Sequence, residues 1–155
     1  MMRDRRRAAI DADKAMNVVW LKRDVRLLDH EPLSIAASRD EPIVILYVYE
    51  RCHLKSDTYH EAHHQFINEG LADLDARVRQ ITDTGGGIVF RSGCVVDALA
   101  ELHSHMPICE LLSHREVGNR VSQERNAQVA SWAAQHGVAW TQCRQDGVSD
   151  VRHEE

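Results

Sequence analysis

Charged residues follow three apolar segments of the chain, and their types suit the binding of a polar ligand. The apolar segments are short and rich in β-formers, like the buried strands of a parallel sheet. The residues that follow them are Lys22, Arg23, Asp24 and Arg26 after the first segment, Glu50 after the second, and His114, Arg115 and Glu116 after a later one. Open parallel sheets bind ligands outside the carboxyl ends of their strands. Guanidinium groups and carboxylates there favour a polar, planar or phosphorylated ligand, and a self-paired, solvated rim is the alternative.

Two further groups of residues are candidates for chemistry. His60 and His64 are four residues apart, a spacing found in helical metal sites, but no H-E-x-x-H motif is completed. We therefore expect surface histidines and no metal site. Glu50 and Glu116 end different strands and can approach one another. A carboxylate pair suits acid–base catalysis, although hydrogen bonding to a bound ring is the simpler role.

Glycine-rich nucleotide motifs are absent from the sequence. No G-x-G-x-x-G follows the first apolar segment, and there is no Walker lysine loop. Three glycines at 85–87 precede an apolar segment instead of opening a helix, so they predict a turn and not a phosphate cradle. A conventional dehydrogenase or P-loop enzyme is disfavoured.

The composition is that of a globular protein. The chain has 155 residues, of which 43% are apolar and 28% charged, and its net charge is −5. An acidic domain lacks the concentrated basic face that nucleic acids need, so we expect no strong direct DNA binding. Four cysteines without C-x-x-C spacing indicate reduced, mostly buried thiols. Because we find no membrane-spanning stretch and no signal peptide, we expect a cytoplasmic protein.

Apolar segments alternate with helical patterns from residue 16 onwards. Strands are predicted over 18–21, 43–49, 88–90, 108–112 and from 138, and helices from 32 and over about 58–83, 97–105 and 122–136. This alternation is typical of parallel strands joined by right-handed crossovers. We predict an α/β fold: a Rossmann-like three-layer αβα sandwich whose five-stranded parallel sheet has the order 3-2-1-4-5. A disordered leader over 1–15 and a frayed tail over 149–155 are expected around one domain over 16–148.

The long helix is predicted from apolar residues at steps of three and four. These residues, expected on one buried face, are Phe66, Ile67, Leu71, Leu74, Val78 and Ile81. The three tryptophans, Trp20, Trp132 and Trp140, are expected to pack in the core.

Several motifs resemble the N-terminal α/β domain of photolyases and cryptochromes. The stretch 19–27, V-W-L-K-R-D-V-R-L, is similar to that family's V-W-F-[KR]-x-D-L-R-L, and the D-H-E-P-L at 29–33 is similar to D-[HN]-x-[AP]-L. The stretch 66–75, F-I-N-E-G-L-A-D-L-D, is similar to F-L-x-E-S-L-x-D-L-D. The segment 114–119 resembles the H-E-E-x-G-N rim of one bacterial branch. The resemblance covers about residues 16–148.

The resemblance implies a domain that normally precedes a larger all-helical domain. In that family the helical domain binds FAD, and reduced flavin splits pyrimidine dimers in DNA by light-driven electron transfer. The α/β domain often holds an antenna chromophore, which is a folate, a deazaflavin or a flavin nucleotide such as FMN, for light harvesting. FAD is not expected on this chain, because its domain falls beyond residue 155. His63 stands where the family commonly has an arginine near the antenna, so it is a candidate cofactor-binding residue beside the charged strand ends.

The resemblance favours a chromophore-binding module for blue-light DNA repair or photoreception that is not catalytic alone. Its expected partner is a helical FAD-domain protein or a second copy of the chain, bound through the exposed interdomain face. One alternative is a small α/β nucleotide-binding enzyme that uses the same crevice, for which no strong nucleophile or metal site stands out. A ligand-free remnant or interaction domain is the other.

Overall fold

Strands and helices alternate along the chain as the apolar segments predict. The computed structural model describes residues 15–51, 61–116 and 118–145. The elements are β1 (Met16–Leu21), α1 (Glu31–Ala37), β2 (Ile43–Glu50), α2 (Glu61–Ile81), β3 (Val89–Gly93), α3 (Val95–His105), β4 (Ile108–His114), α4 (Arg120–Gln135) and β5 (Ala139–Cys143). The leader over 1–14, the tail over 149–155, Cys52 and His60 lie outside the described residues.

The five strands form one parallel sheet in the order β3-β2-β1-β4-β5. This arrangement confirms the predicted doubly wound sheet. The central strand β1 is buried along its whole length. Its side chains alternate between the two faces, because successive residues of a strand point in opposite directions.

Two apolar cores lie on the two faces of the sheet. Val18 and Trp20 belong to the core that contains residues of α3 and α4. Val19 and Leu21 belong to the core that contains residues of α1 and α2. The helices therefore form two outer layers around the sheet, which is the predicted three-layer sandwich. Within the described residues, no helix is long and apolar enough to cross a membrane.

The predicted buried face of α2 is correct in its centre and wrong at two positions. Leu71, Leu74 and Val78 are buried. Phe66 is 74% exposed and Ile81 is 70% exposed. Neighbouring residues of a helix point about 100° apart, so Phe66 cannot share the inward direction of Ile67. Ile81 is the last residue of the helix, and no further turn covers it.

Two other expectations concern the cysteines and the tryptophans. The expected burial of the thiols is wrong for Cys94 and Cys109, which are exposed, and correct for Cys143. Cys94 is at the N-cap of α3, and Cys109 lies near the start of β4, where the chain enters the sheet. Trp20 and Trp132 are buried, and Trp140 packs against the same core, which confirms their structural role.

Replacing Leu71 with Ala should lower the free energy of unfolding by about 3 kcal/mol, because it opens a cavity in a closed core. Phe66→Ala on the same helix is the matched control and should change the free energy of unfolding by less than about 0.5 kcal/mol, because its ring is exposed. Urea denaturation followed by circular dichroism measures both. Equal losses would contradict the assigned orientation of α2.

Candidate ligand-binding site

A charged cleft lies where the strand order reverses. After β1 the chain continues to β2 on one side, whereas β4 is followed by β5 on the other side. Connections that leave neighbouring strands in opposite directions open a crevice between them. The cleft there has a volume of about 190 Å³ and is lined by Lys22, Arg23, Asp24, His114, Arg115, Glu116 and Gln145.

The structure brings most of the predicted site residues together in this cleft. Glu50 adjoins the same region through a shared ion pair with Arg125. Arg26 does not line the cleft, and its guanidinium group donates to the carbonyl oxygen of Asp29 at 3.2 and 3.3 Å. His63 is exposed on α2 and does not line it either. The strand ends therefore form the site without these two residues.

Asp24 anchors the loop after β1 from inside the protein. Its carboxylate accepts hydrogen bonds from the backbone N–H of Lys22 at 2.8 Å, from His30 at 2.5 Å and from His114 at 2.6 Å. We call these three side chains the Asp24 triad (Asp24, His30, His114). All three are buried. The triad joins the loop after β1 to the first turn of α1 and to the end of β4.

The hydrogen bonds assign the protons of the triad. The backbone N–H of Leu33 donates to Nδ1 of His30 at 3.2 Å, so Nδ1 is an acceptor and Nε2 carries the proton toward Asp24. Burial alone raises the pKa of a carboxyl group. The hydrogen bonds from His30, from the Lys22 backbone and from His114 outweigh burial and hold the pKa of Asp24 well below its ordinary value. The triad is therefore built around an ionised carboxylate.

The Asp24 triad also has the composition of a metal site. In the described ranges it places one carboxylate oxygen and two ring nitrogens within 4.8 Å of one another. Zinc accepts these ligand types. A metal on Nε2 of His30, however, requires the proton on Nδ1, which would then face the N–H of Leu33. The proton arrangement favours a structural hydrogen-bonded cluster that also caps α1.

A buried ion cluster lies behind the cleft. The guanidinium group of Arg125 is 7% exposed and donates to Glu50 at 2.8 Å and to Glu116. It also lies over the ring of Trp20, 4.9 Å from the ring centroid. Burial raises the pKa of Glu50, and the Arg125 cation opposes that increase. Glu50 and Glu116 do approach one another as predicted, but both are bound to a cation, which disfavours the acid–base alternative.

Lys22 completes this cluster, which we call the ionic quartet (Lys22, Glu50, Glu116, Arg125). Its Nζ atom donates to the carbonyl oxygen of His114 at 3.0 Å and lies 4.4 Å from the centroid of Trp20. Burial and the nearby Arg125 lower the pKa of Lys22 to about 8, against the opposite influence of Glu116, Asp24 and Glu50. Two cations and two carboxylates balance, so the quartet has no net charge when Lys22 is protonated.

The mouth of the cleft is more basic than its interior. Arg23 and Arg115 are exposed there. Arg23 lies 3.7 Å from Glu116, whose carboxylate is also bound to Arg125. The cleft can therefore hold an anionic group between arginines, with the amide of Gln145 as a further hydrogen-bonding group.

Sequence reasoning missed Arg125, His30 and Gln145 as residues of this site. A signal for Arg125 exists, because it precedes Val129 by four residues and Trp132 by seven, which places it on the buried face of α4. An arginine on a buried face requires carboxylate partners. For Gln145, which follows β5, the sequence carries no comparable signal.

The fold is that of a doubly wound α/β domain, a class whose members bind ligands at the switch point of the sheet. A family model described as DNA photolyase matches residues 17–153. The chain belongs to the DNA photolyase family, as the sequence motifs predict. Cryptochrome DASH from Gloeobacter violaceus is 28% identical over 119 residues, which are 73% of this chain and 23% of the cryptochrome.

Solved structures show the same fold. A class III photolyase from Agrobacterium tumefaciens has a TM-score of 0.72 at 20% identity, over 88% of this chain and 27% of the photolyase. A Synechocystis cryptochrome has a TM-score of 0.70 at 17% identity, and the match covers 83% of this chain and 27% of the cryptochrome. An archaeal photolyase from Sulfolobus tokodaii, described with two FAD molecules, has a TM-score of 0.71 at 17% identity. The match covers 83% of this chain and 29% of the archaeal photolyase. The chain spans about a quarter of the length of these relatives.

Removing the carboxylate of the Asp24 triad should destabilise the fold and alter its response to acid. Asp24→Ala should lower the free energy of unfolding at pH 7 by about 3 kcal/mol, because two buried histidines and one backbone N–H lose their acceptor. The folded pKa is lowered, so this stabilisation is complete above about pH 4 and declines as the pH falls further. The difference in stability between wild type and variant should therefore narrow progressively as the pH falls below about 4.

Denaturant titrations at several pH values measure this narrowing. Asp73→Ala is the matched control, because Asp73 is exposed and, within the described residues, pairs with Arg77 in the next turn of α2. We expect this control to lose at most about 0.5 kcal/mol. A loss equal to that of Asp24→Ala, or a gap that does not narrow at low pH, would contradict the role of the triad.

Proposed function

We propose that this chain is the antenna-type domain of a photolyase or cryptochrome and that it binds a light-harvesting chromophore at the cleft between β1 and β4. The observation that carries the proposal is the charged cleft at the switch point, in a chain of the DNA photolyase family. The Sulfolobus tokodaii photolyase is described with two FAD molecules and the implication of a novel light-harvesting cofactor. The proposed chromophore is a folate, a deazaflavin or FMN.

The size of the cleft decides which part of the chromophore enters it. Pockets that enclose a drug-sized ligand usually have volumes of about 300–1,000 Å³. The cleft of about 190 Å³ is smaller and holds only a small group. We propose that the anionic end of the chromophore, a phosphate or carboxylate, lies between Arg23 and Arg115. The ring system then lies outside the cleft, against the domain surface.

Chromophore binding is tested by absorption and fluorescence titration of the purified protein with FMN, a folate and a deazaflavin. We expect a spectral shift with at least one of them. The Arg23→Ala/Arg115→Ala double variant should bind about tenfold more weakly or worse, because it loses charge-assisted hydrogen bonds to the anion. Arg77→Ala, an exposed arginine on α2, is the control and should bind like the wild type.

Two results of this titration would overturn different parts of the proposal. A protein that shifts with none of the three chromophores overturns the antenna proposal. Binding that is equally strong in the double variant overturns the placement of the anion between the two arginines.

The second part of the proposal concerns a partner. We propose that the surface around Leu28 and Phe66 packs against a helical FAD-binding domain, the partner that the resemblance to photolyases and cryptochromes implies. Leu28 is 80% exposed and Phe66 is 74% exposed. The loop of Leu28 contacts α2, since a Cβ atom on Gly70 would lie 3.7 Å from Val25. Exposed large apolar residues on touching elements favour an interface.

The tagged chain, produced at native level in its own host, should copurify with a helical protein that carries FAD, identified by released flavin fluorescence. The Leu28→Ser/Phe66→Ser variant should lose this flavin, because its apolar contact surface is removed. Ile81→Ser is the control, since Ile81 is exposed at the opposite end of α2. A flavin-free monomer or homodimer from wild type would overturn the proposed partner.

A further inference from the structure

The amine of Lys22 lies in a setting that differs from that of a surface lysine. Lys22 is 9% exposed and lines the cleft between β1 and β4. Its Nζ atom lies 4.4 Å from the centroid of Trp20 and 5.8 Å from that of Trp140. Within the described residues, its side-chain hydrogen bond is to the carbonyl oxygen of His114. Two aromatic rings thus replace much of the water that normally surrounds an ammonium group.

The charges around Lys22 oppose one another. The Arg125 cation on α4 faces the amine, whereas Glu116, Glu50 and Asp24 from the strand ends attract the ammonium form. Burial and Arg125 prevail and lower the pKa of Lys22 to about 8. At pH 7 about a tenth of such an amine is unprotonated, compared with less than about 0.1% of an ordinary lysine of pKa about 10.4. An unprotonated amine is a nucleophile.

The groups beside Lys22 select the kind of electrophile. Arg23 and Arg115 line the same cleft and are exposed at its mouth. Guanidinium groups bind carboxylates and phosphates with paired hydrogen bonds. The volume of about 190 Å³ limits the molecule to a small one. A cleft whose lining includes an amine with an unprotonated fraction of about a tenth at pH 7 and two exposed arginines suits a short molecule with a reactive carbon at one end and an anion at the other.

We infer that Lys22 is a covalent binding site that forms an imine with a small aldehyde carrying a carboxylate or a phosphate group. This inference goes beyond the proposed antenna function and does not depend on chromophore binding. It assigns chemistry to an amine that the antenna proposal uses only as part of the cleft wall. The product is a reversible adduct in the cleft.

The step balances without any further reactant. The lone pair of the unprotonated Nζ atom attacks the aldehyde carbon, and the new N–C bond gives a carbinolamine. The two hydrogens of the amine then leave with the carbonyl oxygen as one water molecule, and the remaining electron pair completes the C=N double bond. Hydrolysis returns the amine and the aldehyde.

The test uses glyoxylate as the probe and cyanoborohydride to reduce the imine to a stable secondary amine. The chain has only two other lysines, Lys14 and Lys55, which serve as internal references in the same sample. Peptide mapping by mass spectrometry gives the rate at each lysine and separates them from the terminal amine. At pH 7 we expect Lys22 to react at least about tenfold faster than either reference. Its rate should reach half of its maximum near pH 8.

Two controls test the reason for the selectivity. Acetaldehyde has no anionic group, so the preference for glyoxylate over acetaldehyde at Lys22 should decrease in Arg115→Ala and persist in Arg77→Ala, whose substitution lies on α2. The preference for Lys22 over Lys55 should disappear in guanidinium chloride. If Lys22 in the folded protein reacts no faster than Lys55, the inference is wrong, whatever the chromophore titrations show.

Discussion

The buried guanidinium group of Arg125 is the constraint on which the carboxyl end of the sheet depends. It projects from α4 and binds Glu50 at the end of β2 and Glu116 after β4, while its face covers Trp20 of β1. Removing a charge from water costs several kcal/mol unless partners compensate. The two carboxylates supply that compensation only if three strand ends and one helix keep their relative positions. The ion cluster therefore fixes the geometry of the rim.

The Asp24 triad fixes the same rim from the other side. Its carboxylate receives hydrogen bonds from residues that are separated by up to 90 positions in the chain. The carboxylate of Asp24 is engaged in these internal hydrogen bonds. The ring of His30 is engaged as well, because it binds Asp24 through one nitrogen and caps α1 through the other. Rigid supports below the surface leave other side chains, chiefly Arg23 and Arg115, to contact a ligand. Sites on such supports are held more accurately than sites on loops.

The fold could be predicted from the sequence because the pattern of apolar residues in each segment indicates how that segment is buried. β1 is buried throughout, and its residues 18–21 form a continuous apolar run, which is typical of a strand covered on both faces. Parallel strands also predict which residues meet, since their carboxyl ends share one edge of the sheet. Local patterns cannot predict ion pairs between residues that are far apart in the chain. The spacing on α4 places Arg125 inward, but nothing local identifies Glu50, 75 residues away, as its partner. The apolar spacing on α2 predicts Phe66 inward, but Phe66 lies about 100° around the helix from Ile67 and is exposed.

The charge arrangement explains how an acidic chain can select small anions. The whole chain carries a net charge of −5, which repels an extended phosphate backbone. The ionic quartet is neutral when Lys22 is protonated, and the ionised Asp24 is buried among its hydrogen-bond donors, so Arg23 and Arg115 are the exposed cations of the cleft lining. Their influence is confined to a cleft of about 190 Å³, and exposed charges are screened over about 10 Å by salt. In the proposed mode of binding, a short anion contacts these two arginines. The proposed selection by size and sign therefore rests on one neutralised cluster beneath two exposed guanidinium groups.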